Sequence, residues 1–200
     1  VWLLTAAMAG LAAMLFVVTG LGGIDPLRSL PGNVPPLALW ALIALGFYLA
    51  EAAVIHLHIG RSAHSFSMSE IPLIVGFFFV SPIALLAARI AGAGLALVIS
   101  RRQRSVKLAF NLSQFMLSST VALTVLHALL AAFPGAVTVA EGAALTATGV
   151  TPLGPGEWVA AIAATLAENL VGVLAVAAAI TLAEGTSQFR RVPEMMQTGI

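Results

Sequence analysis

Cysteine is absent from the 200 residues, which excludes disulfides and thiolate metal sites. Charge is almost as scarce: Lys and Arg number 9, Asp and Glu 8, and 8% of the chain is charged against 60% hydrophobic. Soluble domains carry about a quarter charged residues, and so few charges cannot cover a surface that faces water. The net charge of +1 gives no basic footprint for nucleic acid. No P-loop, nucleophile elbow, HExxH or Cys/His metal pattern occurs, so neither catalysis nor a cofactor is expected of this chain.

Long apolar runs take the place of these features. Mean hydropathy is +1.04. Stretches such as Leu37–Ile55 approach the roughly 20 residues needed to cross a ~30 Å hydrocarbon core. Backbone in lipid must satisfy its own hydrogen bonds, which leaves helices or a closed barrel. Barrel strands alternate apolar and polar residues, and these runs do not. The expected fold is all-α: a polytopic transmembrane helix bundle of about five spans, in partnership with the lipid bilayer. The spans are Trp2–Val18, Leu37–Leu57, a broken segment Glu70–Ser100, Leu108–Ala131 and Trp158–Ala183. Residues 1–185 make the bundle and 186–200 a cytoplasmic tail. The first run lacks a basic flank and a good cleavage site, so it reads as a span and not a signal peptide. The chain opens on Val and closes on Ile200, as a fragment of a longer protein would.

The segment Glu70–Ser100 differs from the others. Ser69 is a good N-cap, with Glu70 and Pro72 in the first turn, where a charge and a missing N–H are tolerated. As one helix the segment would be about 46 Å long. Ser81-Pro82 breaks its hydrogen-bond ladder. A half-helix leading into a full span is expected, the discontinuous geometry that often lines cavities. Five spans put seven basic residues on one side (Arg28, four at 101–107, Arg190 and Arg191) against Arg61 on the other. If 70–100 crosses twice, Arg28 and Arg61 change places and the tally is unchanged. The short Ile71–Val80 stretch favours five. Either way the positive-inside rule puts 101–107 and the C-terminus in the cytoplasm.

Arg89 sits in an apolar run, about 10 Å from Pro82 and about 18 Å from Arg101 by helical rise. A charge at that depth needs a partner. Glu51 and Glu168 are the intramembrane acids, and the depth of Glu51 favours it. Such a pair fixes helix register or serves a ligand or a proton. The last span puts Thr165, Glu168, Gly172, Ala175 and Ala179 in one narrow sector, a small-residue packing face with one acid in it. The fourth span carries Asn111, Gln114, Ser118 and Ser119 on one side, and Ser113, Thr120, Thr124 and His127 on the other. These serve as interhelical hydrogen-bond partners or line a polar pocket. Gly92-Ala-Gly94 reads as helix packing. His56, His58, His64 and Glu70 are interfacial residues by this reading: His56 and His58 share a face only in an extended chain, and no metal is assigned. Arg102, Arg104 and Lys107 read as a topology determinant that also touches anionic lipid.

Three segments resemble a known family. Ala63–Pro82 (AHSFSMSEIPLIVGFFFVSP), Leu108–Phe115 (LAFNLSQF) after Arg101-Arg-Gln-Arg, and Ile180–Gly185 (ITLAEG) are similar to the N-terminal membrane sensor region of bacterial GGDEF/EAL signalling proteins. The resemblance covers about residues 40–185. It implies an inner-membrane input domain whose partner is a fused cytoplasmic domain making or breaking cyclic di-GMP, or a second copy in a homodimer. Family members continue with further helices and the enzymatic domains after the position of Gly185. Here residues 186–200 carry no GGDEF or EAL sequence, so no cyclase or phosphodiesterase residue transfers. The alternative expectation is a small-solute transporter or its substrate-binding membrane subunit.

Overall fold

Proline marks three helix starts. Pro36, Pro82 and Pro155 each open a helix, at the first turn, where the missing N–H has no intrahelical partner to lose. The computed structural model describes residues 1–28, 34–53, 68–133 and 153–184, and the backbone alone of 55–59 and 62–66. The described residues form six helices: α1 (Trp2–Val18), α2 (Pro36–Ala52), α3 (Glu70–Phe79), α4 (Pro82–Ile99), α5 (Ser105–Ala132) and α6 (Pro155–Glu184). Leu21–Gly23 adds a 3-10 turn. The strands β1 (Ile55–Ile59) and β2 (Ser62–Phe66) form an antiparallel hairpin between α2 and α3, with His56 opposite Ser65 and Leu57 opposite His64.

Helices α4, α5 and α6 are long and apolar enough to cross a membrane. α1 and α2 have 17 residues each and α3 has 10. The outward faces are apolar along much of their length: Leu3, Val17, Leu37, Ile83, Leu95 and Leu166 are all exposed. A surface of this kind suits lipid rather than water.

Contacts fix the helix directions. Trp40 Nε1 donates to the Ala84 carbonyl at 3.1 Å. Further along, Gly92 lies against Ala44, and Tyr48 Oη meets Ser100 Oγ at 3.3 Å. Both helices advance together, so α2 and α4 run parallel. A half-helix feeding directly into one span would instead make the 70–100 segment antiparallel to α2. The break expected at Ser81-Pro82 is present, but the chain reverses there. Val80 and Ser81 are extended, and the Ser81 hydroxyl accepts from the Ala84 N–H at 3.4 Å. α3 then packs back on α4, close enough that a Cβ at Gly76 would collide with Leu85. The expected five-span path, with α3 and α4 as one discontinuous span, is corrected on this point. The proline break was legible, but the sequence does not say which way a chain turns after a break.

Other boundaries move as well, among them the start of α6, which lies at Pro155 and not Trp158. α2 ends at Ala52, not Leu57, because Ile55-His-Leu-His-Ile59 alternates apolar and polar residues, the period of a strand. α5 starts at Ser105, so Lys107 lies in its first turn. At α3, Ser69 holds the N-cap position without a side-chain capping bond.

α5 runs antiparallel to α4, with Ser119 beside Arg89 and Leu112 beside Gly94. α6 is antiparallel to α5, with Glu168 beside Ser118 and Gly172 beside Gln114. α1 lies against α5, and Met8 and Ala12 of α1, Phe110 and Leu117 of α5 and Ala175 of α6 form one core. A second core, built around Phe47, Leu73, Phe77, Leu85, Leu123 and Leu126, joins α2, α3, α4 and α5. One end of the bundle therefore holds Arg28, the start of α4 and the start of α6. The other holds Arg101, the start of α5 and the end of α6.

Candidate functional site: the ion pair at the centre of the bundle

Arg89 stands near the middle of α4, about 10 Å from its start. Glu168 is near the middle of α6, and Ser118 and Ser119 are near the middle of α5. These depths coincide, and the four side chains meet. Arg89 Nη2 donates to Glu168 Oε1 at 2.5 Å, and Nη1 donates to Ser119 Oγ at 2.9 Å. Ser118 Oγ donates to the same Glu168 oxygen at 3.2 Å. The guanidinium carbon lies 5.0 Å from the Phe115 ring centroid and 5.5 Å from that of Phe47. Phe47 brings in a fourth helix, α2. Arg89 and Glu168 side chains are only 4% and 8% exposed.

The energetics explain the arrangement. A charge in an apolar interior is costly unless paired and hydrogen-bonded. The carboxylate neutralises the arginine, the two hydroxyls fill further hydrogen-bond sites, and two aromatic faces lie over the cation. Each hydroxyl joins a different member of the pair. Loss of either charge would leave the other buried without compensation.

The partner expected for Arg89 was Glu51, and this is corrected. Glu51 sits in the last turn of α2, beside the end of α4. Arg101 Nε donates to the Glu51 carbonyl at 3.0 Å, and the two side chains approach to 3.7 Å. Glu51 and Arg89 share a depth only where the two helices run in opposite directions. Because they run parallel, Glu51 lies level with the end of α4 rather than with Arg89.

The remaining expected residues fall in three places. Gln114 stays near the centre: a Cβ at Gly172 would stand 3.1 Å from its Nε2. Asn111 lies toward the Arg101 end, where its Nδ2 donates to Gln103 Oε1 at 2.8 Å. Glu70, Pro72 and Pro82 belong to the α3–α4 hairpin, with Pro72 packed under Gly46. On the other stripe of α5, Thr120 and Thr124 donate to the carbonyls of Met116 and Thr120 in their own helix. Among the described residues no three His, Cys, Asp or Glu cluster as metal ligands. The side chains of His56, His58 and His64, and the tail from residue 185, lie outside the described residues.

Sequence reasoning missed a second long-range ion pair, between the connection after α1 and the start of α6. Arg28 Nη2 reaches both Glu157 oxygens, at 2.6 and 2.7 Å, and the Gly154 N–H donates to Glu157 Oε2 at 2.8 Å. Glu157 is in the first turn of α6 and 2% exposed. The Arg28 N–H also donates to the Phe78 carbonyl at 2.7 Å. An acid two residues after a helix-opening proline was the available signal, and it pointed to a helix start without naming its partner. α6 is thus tied to the bundle twice, at its start by Arg28 and at its middle by Arg89.

No family model, curated protein or solved structure matches this chain.

Proposed function

We propose that this chain is a membrane-embedded input region of a bacterial signal-transduction protein, relaying a signal to a cytoplasmic output domain of the cyclic-di-GMP type. The observation that carries the reading is the position of α6. It holds Glu168 in the buried pair with Arg89, and it ends at Glu184 on the same side as Arg101, Arg102, Arg104 and Lys107. Arg28 is the described basic residue at the other end. The positive-inside rule then makes the Arg101 end cytoplasmic. The exposed Trp2 and Trp158, at opposite ends of the bundle, suit the two membrane interfaces. The path is six membrane-inserted helices, with α3 the short one. A change in the bilayer or outside it that alters the fit of α6 against α4 and α5 moves the element leading to residues 185–200. The three sequence segments similar to GGDEF/EAL sensor regions supply the output class.

The test is cellular cyclic di-GMP, measured with the natural reading frame that contains this chain. The double substitution Arg89→Leu with Glu168→Leu removes the pair without orphaning a charge. A several-fold change in cyclic di-GMP with unchanged membrane insertion is expected. A level unmoved by the substitution, or a reading frame and gene neighbourhood without a signalling domain, overturns the reading.

A second reading, a solute transporter or its substrate-binding subunit, draws on the α3–α4 break at Ser81-Pro82, since interrupted helices form transporter binding sites. Solute uptake into proteoliposomes of the purified chain would favour it over the first.

A further inference from the structure

Three of the four basic residues between α4 and the first turn of α5 have no partner among the described residues. Arg101 reaches back to Glu51 and its carbonyl. Gln103 is held on the other side by Asn111, and its N–H donates to the Leu97 carbonyl at 3.0 Å. The connection is therefore pinned to α2 through Arg101, and to α4 and α5 through Gln103. Arg102, Arg104 and Lys107 stand exposed around these anchors. A fixed connection holding three exposed cations, without partners among the described residues, is a built surface, unlike a charged loop that samples many shapes.

Arg102 adds a second observation. Its φ is +47°, the one positive value at a non-glycine position among the described residues. Glycine takes that conformation without strain, whereas a residue with a Cβ does not. Strain retained at a position where a commoner residue would relieve it points to a use for the side chain.

We infer that Arg102, Arg104 and Lys107 form a headgroup-binding surface for anionic phospholipid. The apolar neighbours identify the occupant. Leu95, Val98 and Ile99, at the end of α4, are exposed, as is Val106 at the start of α5. They give acyl chains a wall directly below the cations, which a soluble phosphate compound would not need. The inference rests on the membrane placement proposed above.

The full chain is reconstituted in nanodiscs of phosphatidylcholine with and without phosphatidylglycerol, and retained lipid is measured by native mass spectrometry. Preferential retention of phosphatidylglycerol is expected. It should weaken about fivefold for each cation removed, and about a hundredfold for Arg102→Gly, Arg104→Gln and Lys107→Gln together. Arg102→Gly is the decisive variant: Tm in phosphatidylcholine holds or rises because strain is relieved, while phosphatidylglycerol retention falls. Retention unchanged in Arg102→Gly, or equal retention of both lipids by the wild type, overturns the inference. So does full competition by soluble glycerol phosphate, which would make the surface a general phosphate site. Failure of the wild-type chain to enter any bilayer overturns the membrane placement itself, a result separable from reconstitution without lipid preference.

Discussion

The arginine–glutamate pair at the centre of the bundle and the one at its Arg101 end are built from the same two residue types, but they do different work. Arg89 and Glu168 meet at 2.5 Å, with side-chain exposures of 4% and 8%. Arg101 and Glu51 approach to 3.7 Å, with side-chain exposures of 36% and 10%. At the centre the protein must satisfy both charges itself, and it commits two serines and two aromatic rings to doing so. At the Arg101 end the arginine is open to solvent while Glu51 stays buried, and the arginine bonds the Glu51 carbonyl as well. Burial of both partners, which Arg28 and Glu157 share at the other end of the bundle, therefore decides whether an ion pair is a constraint on the fold or an adjustable contact.

The comparison depends on α2 and α4 being held parallel and in close contact, so the largest effect should come from breaking that contact. A Cβ at Gly92 would collide with the Ala44 carbonyl, which is backbone and cannot rotate away. Gly92→Leu is expected to abolish the folded bundle, seen as loss of the cooperative thermal transition and of the monodisperse peak in detergent. Substitution at Gly10, where a Cβ meets nothing within 4 Å, is the control and should be tolerated.

Next comes the central pair. Glu168→Ala leaves Arg89 buried without its counter-charge and should cost about 3–5 kcal/mol, read as a large drop in Tm. Arg89→Leu with Glu168→Leu should recover most of that loss, because a buried pair replaced by apolar side chains is often neutral. A double variant as unstable as the single one would show that Arg89 and Glu168 do not depend on each other. The smallest effect belongs to the Arg101 end, where Glu51→Gln keeps hydrogen-bonding atoms and leaves behind an arginine that solvent already reaches; it should cost about 1 kcal/mol, and the loss should shrink with added salt. If Glu51→Gln proves as costly as Glu168→Ala, burial of the arginine is not what separates the two pairs.

The sequence carried much of this, but unevenly. Helices long and apolar enough to cross a membrane followed from composition. The break at Ser81-Pro82, the small-residue face of α6 and the need of Arg89 for a partner followed from local pattern. Each depends on residues a few positions apart, or on one side chain's own solvation. The choice of partner did not follow. Glu51 and Glu168 were both suitable acids, and the decision between them rested on the direction of α4 relative to α2, a property of the whole path. The same ambiguity hid Arg28 and Glu157, which are 129 positions apart. The hairpin at 55–66 was legible in its alternation, but the longer apolar run leading into it was read as helix.

The parallel packing of α2 on α4 bears on how the chain is made. Parallel neighbours require something between them to bring the polypeptide back, and α3 does this with 10 residues, about 15 Å of helix. That is half of a ~30 Å hydrocarbon core, too little for the insertion machinery to release into lipid alone. On the membrane placement proposed above, α3 waits for α4 to emerge from the ribosome and enters beside it, so α2, α3 and α4 join the bilayer as one biosynthetic step.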